Sequence, residues 1–314
     1  MRSRTVCVTG GAGFIGSHVA DALLALGHRV LIVDDLSSGR KENVPAGAEF
    51  HALDIRSPKA AALVRETGVE VLVHHAAQMD VRRSVADPVH DASVNVVGTL
   101  NLLEAGRRGA LRQVVFASTG GAMYGEQERF PADENHPARP LSPYGVAKLA
   151  VERYLYFYHA EYGLDAAALR YANVYGPRQN PHGEAGVVAI FLDRLLAGTD
   201  AVINGDGLQT RDYVFVGDVV AANVAVIGRP GFATYNVGTG RETDVVQLYR
   251  LLAQCAGVAR PALHGPAKAG EQRRSVITSD LIAAELGVRP QVALEDGLPR
   301  TARWFAERRA SVRG

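Results

Sequence analysis

Apolar positions along the chain follow two alternating rhythms. Short runs rich in β-branched and aliphatic residues read as buried strands: Thr5–Thr9, Val30–Val33, Val69–Val73, Gln113–Ala117 and Ala166–Arg170. Between them, apolar residues recur at helical spacing. Phe14–Leu26 repeats at Phe14, Ile15, Val19, Leu23 and Leu26 and stops at Gly27. Ser57-Pro58 opens another helix, with Ser57 as N-cap, Pro58 in the first turn and Gly68 past its end. Longer helices are predicted from about Pro88 to Gly106 and over Tyr144–Tyr162. Repeated strand–helix units of this length predict an α/β fold, a Rossmann-type doubly wound parallel sheet.

After Tyr171 the rhythm breaks. Gly and Pro become dense through Gly176–Gly186, at Gly205–Gly207 and at Gly265–Gly270, and the regular segments shorten. The expected organisation is a sheet domain over 1–170 and, over 171–314, mainly a smaller domain covering the cleft. Returning segments near 211–240, such as Tyr213–Val219, are expected to rejoin the main sheet. Open sheets of this kind bind ligands outside the carboxyl ends of their strands, which is where the candidate chemical residues fall.

Composition narrows the class. At 314 residues the chain can build one large domain and a smaller one. Apolar residues at 47% and charged residues at 21% are ordinary for a soluble enzyme. A net charge of +1 gives no pull toward nucleic acid or an anionic membrane. The basic cluster Arg300–Arg313 alternates with Ala and Glu and reads as a solvated helix face. Two cysteines, Cys7 and Cys255, exclude a disulfide framework and fit a reducing cytoplasm, with Cys7 a small core residue. No apolar run approaches membrane-spanning length and no long apolar leader precedes the first strand, so neither a membrane nor a nucleic-acid partner is expected.

The chemistry lies in two motifs. Gly10, Gly13 and Gly16 sit between a predicted strand and a predicted helix, the context in which such glycines let backbone approach a pyrophosphate at a helix N-terminus. Asp34 ends the second strand, where a carboxylate can accept from ribose hydroxyls and repel a 2′-phosphate, so NAD is favoured over NADP. Arg40 and Lys41 are the counter-argument. Asp54 follows another strand and reads equally as an adenine neighbour or a turn residue. Tyr144 and Lys148 are four apart on a helix and share one face. A nearby ammonium is expected to favour phenolate and lower the Tyr144 pKa, making Tyr144 a base for an alcohol or sugar hydroxyl. Ser118 and Thr119 end a strand, where a hydroxyl could polarise a forming carbonyl.

Two further features read as structural. His74-His75 suggests metal, but neighbouring strand residues face opposite ways and no ligand set accompanies them, so no metal is expected. The aromatic cluster Tyr154, Tyr156, Phe157, Tyr158 and Tyr162 reads as core or subunit packing.

Taken in order, "VDDLSSG" at 33–39, "HHAAQMDVRRSVADP" at 74–88, "NVVGT" at 95–99, "STGGAMYG" at 118–125, "SPYGVAK" at 142–148, "RYANVYGPRQNP" at 170–181, "RDYVFVGD" at 211–218 and "NVGTG" at 236–240 carry a resemblance over nearly the whole chain. The chain resembles the extended short-chain dehydrogenase/reductases of nucleotide-sugar metabolism, the NAD-dependent epimerase/dehydratase family. Its pattern is most similar to members that epimerise UDP-hexoses at C4. The resemblance implies NAD as cofactor, a UDP-sugar as substrate, a 4-keto intermediate, and a homodimer pairing the helix around Asn95–Gly106 with Tyr144–Tyr162 across a two-fold axis. It makes 1–170 the NAD-binding domain and 171–314 mainly the nucleotide-sugar domain.

Residue by residue, it implies Tyr144 as base, Lys148 on the nicotinamide ribose, and Thr119, with Ser118 as the alternative, as hydroxyl partner. Cofactor contacts are implied for Gly10, Gly13, Phe14, Ile15, Gly16, Asp34, Asp35, Asp54, Ile55, Ala76, Ala77, Gln78, Asn95 and Tyr171. Substrate contacts are implied for Asn173, Val188, Arg211, Tyr213, Lys268, Glu271 and Arg273. Lys268 replaces the family's usual Arg and loses bidentate geometry, shifting phosphate contact toward Arg211 and Arg273. Ser275, four residues past Glu271, falls where the family gates an N-acetyl group, and its small side chain predicts room for one. Gly120-Gly121 stands where dehydratases carry an acid pair. Asn173 and Asn180 depart from the Thr and Arg of glucuronate epimerases, and the retained Tyr/Lys pair departs from non-catalytic NAD(P)-sensing regulators.

Overall fold

The computed structural model describes residues 2–182, 186–267 and 272–313. The first half runs β1 (Thr5–Thr9), α1 (Phe14–Ala25), β2 (Arg29–Asp34), β3 (Glu49–Ala52), α2 (Pro58–Glu66), β4 (Val71–His74), α3 (Val81–Ala86) and α4 (Pro88–Ala92). A π-helical stretch, Ser93–Gly98, joins α4 to α5 (Thr99–Arg107). Then come β5 (Gln113–Thr119), α6 (Gly120–Met123), α7 (Pro143–Tyr162), β6 (Asp165–Tyr171) and β7 (Asn173–Tyr175). The second half continues with α8 (Val187–Ala197), β8 (Val202–Asn204), β9 (Thr210–Arg211), β10 (Tyr213–Phe215), α9 (Val216–Ala225), β11 (Phe232–Val237) and β12 (Thr243–Asp244). It ends with α10 (Val245–Cys255), β13 (Leu263–Gly265), β14 (Arg274–Ser275), α11 (Asp280–Leu286) and α12 (Leu294–Arg313).

Seven strands form one parallel sheet in the order β11-β6-β5-β4-β1-β2-β3. Strand side chains alternate between two cores. Val6, Val8, Val71, Val73, Val115 and Leu169 pack against α1 and α9, while Cys7, Leu72, Val114, Phe116 and Ala168 pack against α2, α5 and α7. Burial on both faces is why these strands read as continuous apolar runs. The chain order reverses between β1 and β4, which opens a crevice beyond their carboxyl ends. A third core, made by α8, α10 and α12 around Phe191, Leu248, Leu298 and Phe305, lies apart from the sheet.

Three sequence expectations need correction. Tyr213–Val219 does not rejoin the main sheet. Tyr213 pairs with Asn173 in a separate two-stranded sheet, and from Val216 the chain is α9, packed on α1. The segment that returns is β11, beside β6. Second, the single helix predicted from Pro88 contains the π stretch, which shifts the side-chain phase around Asn95. Third, α12 begins before Arg300 and does more than present a solvated face, since it buries Leu298, Ala302 and Phe305.

Candidate active site

The glycine turn is close-packed. Gly10 has φ +68, and a Cβ there would lie 2.7 Å from Ala76 N. A Cβ on Gly16 would lie 2.3 Å from Gly10 O, and Gly13 is the N-cap of α1, with Phe14 and Ile15 in its first turn. Backbone N–H groups at this helix start are therefore open to an anion. Asp34 ends β2 and folds back onto the turn, its carboxylate accepting from Ala12 N at 3.0 Å and Leu36 N at 2.8 Å. Burial pushes the Asp34 carboxyl up, and those two N–H groups pull the other way. Asp35 accepts from Ser37 N and Oγ. Arg40 donates its backbone N–H to Ala12 O, next to the short 3-10 turn that begins at Lys41. Asp54 is ion-paired with Arg56 at 2.5 Å, which lowers its pKa, and Ile55 beside it packs under Gly98.

The far wall of the crevice is a buried polar network. His74 is held between Thr9 Oγ1 at 2.6 Å and Thr99 Oγ1 at 2.8 Å. Burial, with Lys148 and His75 nearby, pushes His74 down to about 3, so it is a neutral spacer. Thr9 Oγ1 also accepts from Ala76 N, tying β1 to the loop that carries Ala76, Ala77 and Gln78. Gln78 N donates to Asn95 Oδ1 at 2.9 Å, and Asn95 Nδ2 returns a bond to Gln78 O at 2.9 Å. Both side-chain amides also donate to Asp91 Oδ1. Asn95 lies inside the π stretch, a device common at functional sites because it re-aims one turn of helix.

Tyr144 and Lys148 enter from α7. Ser142 caps that helix by accepting from Gly145 N, and Pro143 sits in its first turn. A Cβ on Gly145 would lie 2.7 Å from Ala122 O, so glycine there lets α7 press against the turn that follows Thr119. Lys148 is 3% exposed, donates to Ala117 O at 2.8 Å and lies 5.7 Å from the Tyr144 ring centre. Burial draws Lys148 down to about 8, while Asp91 and Glu152 oppose the fall. The expected lowering of Tyr144 is not what the chain alone produces. Burial pushes the phenol up, and Asp91 adds to the rise.

The strand separates the two candidate hydroxyls. Ser118 is buried and donates to Glu152 Oε1 at 2.6 Å, and Glu152 is paired with Arg170 at 2.6 Å. Thr119 faces the other way. Its Oγ1 caps α6 by accepting from Ala122 N, and it lies 4.0 Å from the space at Gly121 that Asn173 Oδ1 approaches to 3.9 Å. Tyr171 stacks on His75, and its hydroxyl accepts from Asn223.

On the second-lobe side, Asn173 N donates to Asp212 O, Tyr213 is the register partner of Asn173, and Arg211 is that of Ser275. Arg211 donates to Thr210 O. Arg273 pairs with Asp206 at 3.1 Å on an exposed rim. Val188 is buried in the third core, its side chain packed inward. Lys268 and Glu271 lie outside the described residues. Sequence reasoning missed Asp91, Thr9 and Glu152. For Asp91 a signal existed: Asp91 and Asn95 are polar residues at i, i+4, on one face of the predicted helix. Among the described residues, no group of three or more His, Cys, Asp or Glu side chains is placed to hold a metal ion.

A UDP-glucose 4-epimerase of Mycolicibacterium smegmatis is 48% identical over 305 residues, 95% of this chain and 97% of its own. The crystal structure of UDP-glucose 4-epimerase with UDP-glucose from Thermotoga maritima matches with a TM-score of 0.95 and 44% identity, covering 97% of this chain and 99% of that one. A Thermus thermophilus UDP-glucose 4-epimerase in complex with NAD matches with a TM-score of 0.91 and 45% identity, covering 96% and 98%. The family pattern matches residues 6–238. The chain belongs to the NAD dependent epimerase/dehydratase family.

Proposed function

We propose that this chain is an NAD-dependent epimerase that inverts C4 of a UDP-hexose, interconverting UDP-glucose and UDP-galactose. The observation that carries the reading is the placement of Lys148 beside Tyr144 on a helix that presses on the turn after Thr119, with Gly120-Gly121 following Thr119. No acid pair is present there to drive elimination. The residues fit a dinucleotide: the Gly10 turn closes against Ala76 N, a helix N-terminus faces the crevice, and Asp34 stands at the end of β2. Gly10, Gly13, Phe14, Ile15 and Gly16 would hold the pyrophosphate and Asp34 the adenosine ribose. Gln78 and Asn95 would wall the nicotinamide side, with Lys148 on its ribose.

Bound NAD supplies a hydride acceptor and, when oxidised, a positive ring charge. Tyr144 takes the proton of the sugar C4 hydroxyl. Lys148 stays charged and stabilises the phenolate, offsetting the burial that raises Tyr144. Thr119 donates to the C4 oxygen as it becomes a carbonyl. The keto sugar turns about its diphosphate link, so that the hydride removed from C4 is restored to the opposite face of that carbon while Tyr144 returns its proton to the C4 oxygen. Such a site must hold the nucleotide firmly and the hexose loosely, a task given to Asn173, Arg211 and Arg273. Thr119 is assigned the hydroxyl role over Ser118, whose hydrogen bond to Glu152 commits it to the buried ion pair.

A second copy of the chain is proposed to cover the face of α4 and α7. Val89 is 78% exposed there, with Val97, Tyr154 and Phe157 also exposed, an apolar patch beyond what an isolated chain needs. A cytoplasmic setting suits the two unpaired thiols. No helix among the described residues is long and apolar enough to cross a membrane.

The test is a UDP-sugar panel resolved by chromatography. The reading expects UDP-galactose and UDP-glucose to reach one equilibrium mixture with no net NADH. A 4-keto-6-deoxy product, or two unchanged sugars with NAD-loaded protein, would overturn it.

A further inference from the structure

The most unusual group near the site is one that the reaction does not require. Asp91 is 1% exposed, at the end of α4, and α4 packs against the helix that carries Tyr144 and Lys148. Its Oδ1 accepts from Gln78 Nε2 at 2.9 Å and from Asn95 Nδ2 at 3.0 Å. Its Oδ2 is buried with no hydrogen-bond partner. Neither bond comes from a cation. A carboxylate placed this way costs several kcal/mol unless a nearby positive charge offsets it. We propose that Asp91 is a positioning residue for the proton chemistry. Its carboxylate fixes Gln78 and Asn95 on the cofactor wall and supplies the negative charge that keeps Lys148 an ammonium beside Tyr144.

Glu152 also opposes the fall of Lys148, whereas Asp91 raises Tyr144 as well. Glu152, one helical turn on, is engaged by the Arg170 guanidinium through two bonds and by Ser118, so its charge is already answered. His74 at the end of β4 and His75 just past it are both pushed down to about 3 by burial and by Lys148, and they stay neutral. Tyr144 is a neutral phenol in the resting chain. Arg82 and Arg83 of α3 and Asp87 ahead of α4 are exposed. That leaves Asp91 as the anion that acts on both members of the pair. It raises Lys148 against the desolvation that draws it to about 8, and it raises Tyr144 as well. The carboxylate therefore sets the working pH of the pair, shifting both members in one direction.

The inference rests on Tyr144 and Lys148 being the acid–base pair proposed above. Its test is the pH profile of kcat for UDP-galactose epimerisation by Asp91→Asn holoprotein. Asn keeps an oxygen that can accept from Gln78 and Asn95 but carries no charge. Both limbs of the profile should move to lower pH by about one unit, because loss of a nearby anion lowers the pKa of cation and phenol alike. Asp91→Glu, which keeps the charge, should leave the limbs close to those of wild type. Asp91→Ser, which removes the charge and leaves room for water, gives the same readout by a second route should Asp91→Asn fail to fold. Limbs that stay in place in the uncharged variants, with only a fall in rate or in NAD released per chain, would overturn the inference. Wild-type protein that turns over no UDP-hexose would instead overturn the epimerase reading, so the two failures are distinguishable.

Discussion

The two sides of the crevice are built differently. On the cofactor side, positions are held by backbone contacts and buried hydrogen bonds: Gly10 against Ala76, Asp34 on two N–H groups, His74 between two threonines, Gln78 against Asn95. On the nucleotide-sugar side, short strands of two or three residues and the loops beside them carry long side chains in ion pairs, Arg273 with Asp206 and Arg274 with Glu242. In the proposed reaction, a rigid wall would keep the hydride acceptor and Tyr144 in fixed register. Cations on the other side suit the diphosphate about which the sugar must turn in the proposed reaction. The difference matches what an epimerase needs and a simple dehydrogenase does not.

Substitutions on each side should show this asymmetry. The largest effect is expected from Arg170→Met, which strands the buried Glu152 and Ser118. Thermal or denaturant unfolding should show a loss of about 3–5 kcal/mol. A loss under 1 kcal/mol would mean that the sheet side is less rigid than its bonding suggests. Tyr144→Phe should lower kcat by at least ~10²-fold while NAD and UDP still bind. Activity near wild type would remove Tyr144 as the base. Ser275→Tyr follows. Ser275 is buried beside Arg211, and a large ring there should suppress epimerisation of UDP-GalNAc roughly tenfold more than that of UDP-galactose. Equal losses would show that Ser275 does not gate the sugar pocket. The smallest stability change belongs to Arg273→Met, within ~0.5 kcal/mol because its ion pair is exposed, with the cost appearing in KM for the UDP-sugar instead.

Much of the cofactor side was legible in the sequence because its cause is local. Parallel strands buried on both faces are continuous apolar runs, and glycines at a strand–helix junction have a steric reason to be there. β3 was missed because its residues are exposed or only half-buried, so Glu49–Ala52 carries no apolar run. The different surroundings of Ser118 and Thr119 come from strand alternation and from a partner of Ser118, Glu152, 34 residues away. The Gln78–Asp91–Asn95 network joins a loop to a helix, and the π stretch changes helical phase without leaving a mark in the pattern. The direction of the Tyr144 shift depends on how much chain surrounds the phenol. A Tyr-x-x-x-Lys spacing states the cation and omits the burial.

The most direct test of the central claim follows the hydrogen on the reacting carbon. UDP-galactose carrying deuterium at C4 should be converted by the NAD-loaded protein, with no NAD added, into UDP-glucose that retains the deuterium at C4. NMR of the product reads both the configuration and the label. Retention at an inverted centre is what removal and return of one hydride within one site predicts. Loss of the label to solvent, or its appearance at C6 of a deoxy sugar, would contradict the account.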